Sequence, residues 1–139
     1  MKIKDEKGFS GIDITVAVII ILLFMSLITT VFYNITISSK TLERKTEATY
    51  IAVDVIEKIK ALNYDDIAVK TYDDTNIGDI IDGYNATEGY SLSVTIDNYK
   101  PKEVQYENDV VKTINVKVEY KIGKNIESVE LNTTVVREI

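Results

Sequence analysis

The residues with the clearest chemical role lie in front of the most apolar run of the chain, ITVAVIIILLFMSLITTVFY. Asp13 places a carboxylate directly before this run, and a carboxylate at membrane depth costs about 2.5–3.5 kcal/mol unless it finds a partner. Ser10 and Asp13 also match the S-x-x-D capping box, in which both side chains accept hydrogen bonds from backbone N–H groups at a helix start. Asp13 is therefore a candidate for a charge pair, a helix cap or both in turn.

Side chains for nucleophilic or metal chemistry are scarce in this sequence. There is no Cys and no His, which excludes thiol chemistry and the usual zinc sites and removes the commonest general base near neutral pH. The acidic stretch DDTNIGDIID departs from the spacing of the EF-hand calcium loop, so we expect solvated loop acids and no metal site. Its weak candidates for calcium ligands are Asp73, Asp74, Asn76 and Asp79. Without a convincing carboxylate pair, we expect no enzyme activity and no cofactor.

The charge balance excludes one class of partner. The formal net charge is −6, and no stretch of the chain clusters Lys and Arg. A nucleic-acid-binding protein needs such a basic surface to neutralise phosphates. We therefore expect no nucleic-acid partner.

The apolar run is long enough to span a membrane. From Ile14 to Ser39 there are 26 consecutive residues without a charge, and about 20 suffice to cross a bilayer. A secretory signal peptide would have a shorter apolar core and a small-residue cleavage site, so this alternative is disfavoured. A plain single-pass anchor fits the length, and the lysines of MKIKDEKG suit a cytoplasmic N-terminus.

The helix is expected to continue beyond the membrane. Apolar residues recur at steps of three and four through residues 40–62, which predicts an amphipathic helix with one buried face. No Pro occurs before Pro101, so we predict one helix from Ile12 to Leu62, about 51 residues and roughly 75 Å long at 1.5 Å per residue. The buried face would comprise Ala48, Ile51, Ala52, Val55, Ile56, Ile59 and Leu62.

The rest of the chain predicts a loop and a small sheet. Residues 63–90 are acidic and contain glycines, so we interpret them as a loop. Alternation with a period of two in SLSVTID, KTINVKVEYKI and SVELNTTVV predicts three antiparallel strands within 91–137, with GKN as a three-residue hairpin loop. One apolar sheet face needs a cover, which the helix 40–62 can supply. The predicted class is α+β.

The stretch KGFSGIDITVAVIIILLF resembles the N-terminus of a type IV prepilin, in the branch of the minor pilins and pseudopilins. Such proteins carry a short basic leader ending in Gly, then commonly Phe, then a carboxylate at the fifth position of the mature chain and about 20 apolar residues. Here residues 1–8 would be the leader, residues 9–39 the transmembrane and assembly half of the helix, and residues 40–139 the extracytoplasmic domain. Counted from Phe9, Asp13 is the fifth residue.

The resemblance implies a set of sites and partners. A prepilin peptidase would cut between Gly8 and Phe9 and N-methylate Phe9. Asp13 would then pair with the Phe9 amine of a neighbouring subunit, as the helices assemble into a type IV pilus or a type II secretion pseudopilus. The other implied partners are further pilin subunits, an inner-membrane assembly platform and lipid. The protein would lie in the cell membrane and then at the pilus or cell surface.

Three features differ from the usual family pattern. Gly11 stands where a large aliphatic residue is usual, Asp13 stands where Glu is usual, and the Pro of many major pilins is absent from the membrane segment. The missing Pro predicts an unbroken helix, as fits a minor component. The alternative function is a single-pass anchored ectodomain that binds a surface or a glycan, as in cell adhesion, without filament assembly.

Overall fold

The computed structural model describes residues 11–99 and 108–137. In this part of the chain, helix α1 spans Gly11–Lys60 and is followed by strands β1 (Thr71–Asp73), β2 (Tyr90–Tyr99), β3 (Asn108–Ile122) and β4 (Asn125–Val136). Two short 3-10 helices, Tyr64–Asp66 and Ile77–Asp79, lie between α1 and β2. By internal contacts the chain divides into two compact units, Met1–Lys40 and Thr41–Ile139.

Helix α1 is continuous over 50 residues. The predicted bounds were Ile12 and Leu62, so each end differs by one or two residues. The last turn tightens where Leu62 N–H donates to the carbonyl oxygen of Ile59 at 3.1 Å, three residues back. No residue within the helix removes a backbone donor, since Pro is absent from it.

The second unit contains the hydrophobic core. One face of α1 packs against the sheet, and two of its contact residues, Ala48 and Ala52, are small enough to let the helix backbone approach closely. The predicted α+β arrangement, a long N-terminal helix packed on a small antiparallel sheet, is confirmed. The buried apolar residues are Ala48, Ala52, Val55, Ile59, Ile67, Tyr72, Ile77, Ile80, Ile81, Leu92, Val94, Ile96, Ile114, Val116, Val118 and Tyr120.

The sheet has one strand more than the sequence predicted. Its order is β1-β2-β3-β4, with each neighbouring pair antiparallel. Strand β1 lies within the stretch 63–90 that was interpreted as a loop, so the prediction missed it. With three residues, β1 is too short to show alternation, although Tyr72 is buried and opposite Val94 of β2.

The register of the sheet aligns the apolar rows of the two central strands. Leu92 faces Val118, Val94 faces Val116 and Ile96 faces Ile114. Because side chains alternate across a strand, a slip by one residue would turn these rows to solvent, and their burial therefore specifies the register.

The hairpin between β3 and β4 is tighter than predicted. Ile122 pairs with Asn125, so the loop has two residues, Gly123 and Lys124, and not the three of GKN. Gly123 has φ +61° while Lys124 does not have a positive φ. A positive φ at the first central residue alone is the pattern of a type II′ turn, in which Gly is favoured.

Lys112 is a buried charge that the sequence analysis did not single out. Its side chain is 8% exposed, and Nζ donates to the carbonyl oxygens of Tyr64 at 2.8 Å and Ile67 at 2.7 Å. Nζ also lies 4.0 Å from the centre of the Tyr64 ring, within the range of a cation–π contact. These contacts attach the segment after α1 to the beginning of β3.

We predict that Lys112→Ala lowers the free energy of unfolding by about 2–4 kcal/mol, because it removes the charged donor of the Ile67 carbonyl group and leaves the Tyr64 carbonyl group with only the Ile67 N–H. The matched control is Lys121→Ala on the same strand, where the side chain is exposed. That substitution should change the free energy by less than about 0.5 kcal/mol. Chemical denaturation of both variants measures the difference, and equal effects would contradict the structural role of Lys112.

Candidate membrane and assembly segment

The first part of α1 is apolar on all sides. The residues from Gly11 to Ser39 are all exposed, and an 18-residue window of the helix has a mean hydropathy of 2.8. By length and composition this helix is able to cross a membrane, which is compatible with a single-pass anchor. The exposed aliphatic side chains need lipid or other helices around them, since a water-facing patch of this extent is rare in a soluble monomer.

Four threonine hydroxyl groups in this segment are satisfied by the helix itself. Thr15, Thr29, Thr30 and Thr36 each donate their hydroxyl hydrogen to the carbonyl oxygen four residues earlier, at 2.8–3.0 Å. Lipid offers no hydrogen-bond partner, so a hydroxyl there is tolerated when the helix accepts its hydrogen. The threonines therefore do not prevent the segment from lying in a membrane.

Asp13 lies in the first turn of α1 and is exposed, directly before the uncharged run. An acidic side chain at this end of a helix is favoured by the helix dipole. The other residues of the predicted site, Gly8 and Phe9, lie outside the described residues, as does Ser10 of the S-x-x-D pattern. The structure thus places the carboxylate and its apolar helix, while the predicted cleavage and methylation stay predictions.

The acidic stretch 73–82 uses its oxygen atoms within the chain. Asp73 Oδ1 accepts hydrogen bonds from Thr75 N–H at 2.9 Å and from the Thr75 hydroxyl, while Asn76 Oδ1 accepts one from Asp73 N–H at 2.7 Å. Asp74 accepts hydrogen bonds from Leu92 N–H and the Ser91 hydroxyl.

The fourth weak calcium candidate, Asp79, lies 3.4 Å from Lys70 Nζ. Among the described residues no group of three or more acids is placed to hold a metal ion. The side chains singled out for calcium are therefore turn and strand contacts in this structure.

A polar contact that the sequence analysis missed connects α1 to the start of β2. The Tyr90 hydroxyl donates to a carboxylate oxygen of Glu47, and the Arg44 guanidinium lies 5.4 Å from the centre of the Tyr90 ring. Burial raises the pKa of Tyr90, and the hydrogen bond to Glu47 raises it further. The hydrogen bond with Tyr90 raises the pKa of Arg44. The only sequence signal was the number of tyrosines near the loops, which does not identify their partners.

We predict that Thr75→Val raises the pKa of Asp73 towards its ordinary value, since the side-chain hydrogen bond from Thr75 is the largest cause of its lowering. A carboxyl whose pKa is lowered on folding stabilises the fold above its unfolded pKa. That contribution is lost as the pH falls through the folded pKa, which lies below the ordinary aspartate pKa of 3.8. NMR titration of the Asp73 carboxyl measures the change. Thr71→Val on β1 is the control and should leave the titration unaltered, and an unaltered pKa in Thr75→Val would refute the assignment.

Comparisons with protein families, with curated proteins and with solved structures find no match to this chain. The function is therefore inferred from the chemistry of the residues described above. The residues that matter for it are the apolar half of α1, Asp13 at its beginning, and the half of α1 that packs on the sheet.

Proposed function

We propose that this protein is a membrane-anchored structural subunit of the type IV pilin kind, a minor pilin or pseudopilin. In this proposal the chain is cut after Gly8, N-methylated at Phe9 and assembled through its N-terminal helix into a pilus or secretion pseudopilus. Its partners are a prepilin peptidase, other pilin subunits, an inner-membrane assembly platform and lipid. Its folded domain lies on the extracytoplasmic side.

The observation that carries the proposal is the uninterrupted helix α1. It passes from a segment that is apolar on all sides into one that is apolar on a single face, without a break between Gly11 and Lys60. An ordinary anchor needs no rigid connection to its domain, whereas a filament built from packed helices does. The continuous helix supports a subunit in which the membrane segment and the folded domain act as one element of assembly.

In this proposal the carboxylate of Asp13 favours transfer of the helix from lipid into an assembly of helices. Its carboxylate stands at the edge of a run whose 26 residues carry no charge. Cleavage before Phe9 would create a cationic amine four residues before Asp13 in the sequence. Within a bundle of parallel helices the same amine on a neighbouring subunit is a partner for Asp13, and the pairing offsets the cost of about 2.5–3.5 kcal/mol for a charge at membrane depth.

The first test is the intact mass and N-terminal sequence of the membrane-extracted protein from cells that contain a prepilin peptidase. We expect loss of residues 1–8 and an N-methylated Phe9. The control is the Gly8→Asp variant, which should keep its leader because a bulky charged residue obstructs access to the bond. A wild-type chain that retains Met1 under these conditions would contradict the proposal and favour the anchored ectodomain.

The second test separates assembly from processing. We expect Asp13→Ala and Asp13→Asn to be cleaved normally but to enter filaments at least about tenfold less, the ratio that a loss of about 1.4 kcal/mol produces. Asp13→Glu keeps the carboxylate and should assemble. Thr15→Ala is the matched control, because that hydroxyl bonds only within the helix. Quantitative blotting of sheared filaments gives the yields, and normal incorporation of Asp13→Ala would rule out the assembly role.

A further inference from the structure

Strand β4 leaves a long open edge on the sheet. It is the last strand in the order β1-β2-β3-β4, and its 12 residues pair with β3 without a bulge. It contains no Pro and no Lys, and its only charges are Glu127 and Glu130. Natural sheets usually protect an edge by a short strand, a bulge, Pro or Lys. The opposite edge strand, β1, has only three residues, so among the residues that the structure describes β4 is the edge strand without such protection.

The backbone groups that face this edge can be identified. Arg137 N–H donates to the carbonyl oxygen of Val110 at 2.9 Å, in line with the β3–β4 register. Hydrogen-bonded and non-hydrogen-bonded pairs alternate in an antiparallel ladder. The odd-numbered residues of β4 therefore bond to β3, and the even-numbered residues from Ile126 to Val136 direct their N–H and C=O groups to the open edge.

The sequence of β4 is complementary to itself in one antiparallel register. With Asn132 opposite Asn132 of a second copy, Val129 faces Val135, Leu131 faces Thr133 and Glu130 faces Thr134. In that register Glu127 faces Arg137, a residue of opposite charge whose guanidinium pairs with Asp65 and lies over the Tyr64 ring within one copy. Shifting the centre to Glu130 would instead set two carboxylates opposite each other, which is destabilising.

Asn132 suits the centre of such a contact. Its Oδ1 accepts a hydrogen bond at 2.7 Å from the side-chain amide of Asn115 on β3. Its own amide nitrogen carries two hydrogens that can be donated. In the register centred on Asn132, the side-chain amides form one row across the edge. Its order is Asn115 and Asn132 of one copy, then Asn132 and Asn115 of the second copy.

We propose that β4 is a homotypic docking edge, where two copies of this chain pair antiparallel about Asn132. The partner is a second copy because the strand matches itself in apolar rows, side-chain amides and charge. In the joined sheet the solvent exposure of the half-buried inner row of β4 decreases. This row comprises Val129, Leu131 and Val135. The contact combines strand addition through backbone hydrogen bonds with a defined register.

The pairing joins molecules of opposite orientation. In the second unit, Arg44 in the early part of the helix contacts Tyr90. Tyr90 is opposite Tyr120 in the sheet, and Tyr120 is opposite Glu127, near the beginning of β4. Near its end, Lys60 and Leu62 line a cavity of about 410 Å³ together with Val135. Helix and β4 thus run in the same direction, and a two-fold axis through Asn132 reverses both. Copies that share one membrane or one filament are parallel and are not related in this way, so the contact joins copies of two different membranes or filaments and goes beyond the proposed function.

Single-cysteine variants of the full-length protein in detergent micelles test the register, because the chain has no Cys. We expect Asn132→Cys to form a disulfide-linked dimer under mild oxidation, since residues opposite each other lie about 5.5 Å apart at Cα and a disulfide spans about 4.4–6.8 Å. Ser128→Cys is the matched control on the same row. Its two copies would be eight positions apart, roughly 27 Å at about 3.4 Å per residue, so it should stay monomeric.

A proline substitution tests the edge itself. Thr134→Pro removes an N–H group that faces the open edge and leaves the hydrogen bonds to β3 in place, so the variant should fold. Combined with Asn132→Cys, it should lower the cross-linking at least about tenfold. Thr134→Val keeps the N–H and should cross-link normally. Each of three results overturns the proposal. These are equal cross-linking of the Ser128→Cys and Asn132→Cys variants, undiminished cross-linking with Thr134→Pro, and an Asn132→Cys variant that stays monomeric. If circular dichroism shows the proline variant unfolded, the comparison of positions 128 and 132 decides. Neither readout depends on cleavage of the leader.

Discussion

The constraint on which the rest of the structure depends is that one helix has to suit two environments. Up to Ser39 its side chains are exposed and apolar all round, whereas from Ala48 onward one face is buried and the others are polar or half-exposed. The hydrophobic effect drives both halves, but in the first half the apolar surface needs lipid or other helices, and in the second it is covered by the sheet. One continuous helix meets both requirements in turn along its sequence.

The sheet is fitted to the width of this helix. A helix about 10–12 Å across covers roughly two strands that lie about 4.8 Å apart. The inner rows of β2 and β3 are accordingly buried, while that of β4 is only half-buried. The same geometry that builds the core leaves β4 incompletely covered on its inner face and unpaired at its edge. In the part of the chain that the structure describes, this incomplete cover is what makes β4 the candidate edge for contact with a second copy.

The spacing of residues along the sequence does not predict the partners of the charged side chains. Lys112 stands in the same row of β3 as Ile114 and Val116, which would have signalled a buried position, but its residue type suggests solvent. Its burial is compensated because Nζ donates to the carbonyl oxygens of Tyr64 and Ile67 in the segment after α1. In the acidic stretch, Asp73 and Asp74 were expected to be solvated loop acids and were only weak candidates for calcium ligands, and they accept hydrogen bonds from neighbouring backbone and hydroxyl groups. In both cases the partner, and not the residue type, decides the role.

The sequence by itself determined the elements whose signal is local and repeated: the uncharged run, the helical face from Ala48 to Ile59, the alternation in three strands, and Asp13 at the start of the apolar segment. Only the tertiary structure decided strand β1, the two-residue turn at Gly123, and the contacts of Lys112 and Tyr90. Lys112 and Tyr64 are 48 residues apart, and Tyr90 and Glu47 are 43 apart. Periodicity reports how a residue relates to its near neighbours along the chain, whereas such pairs form only when packing of the helix on the sheet brings distant segments together.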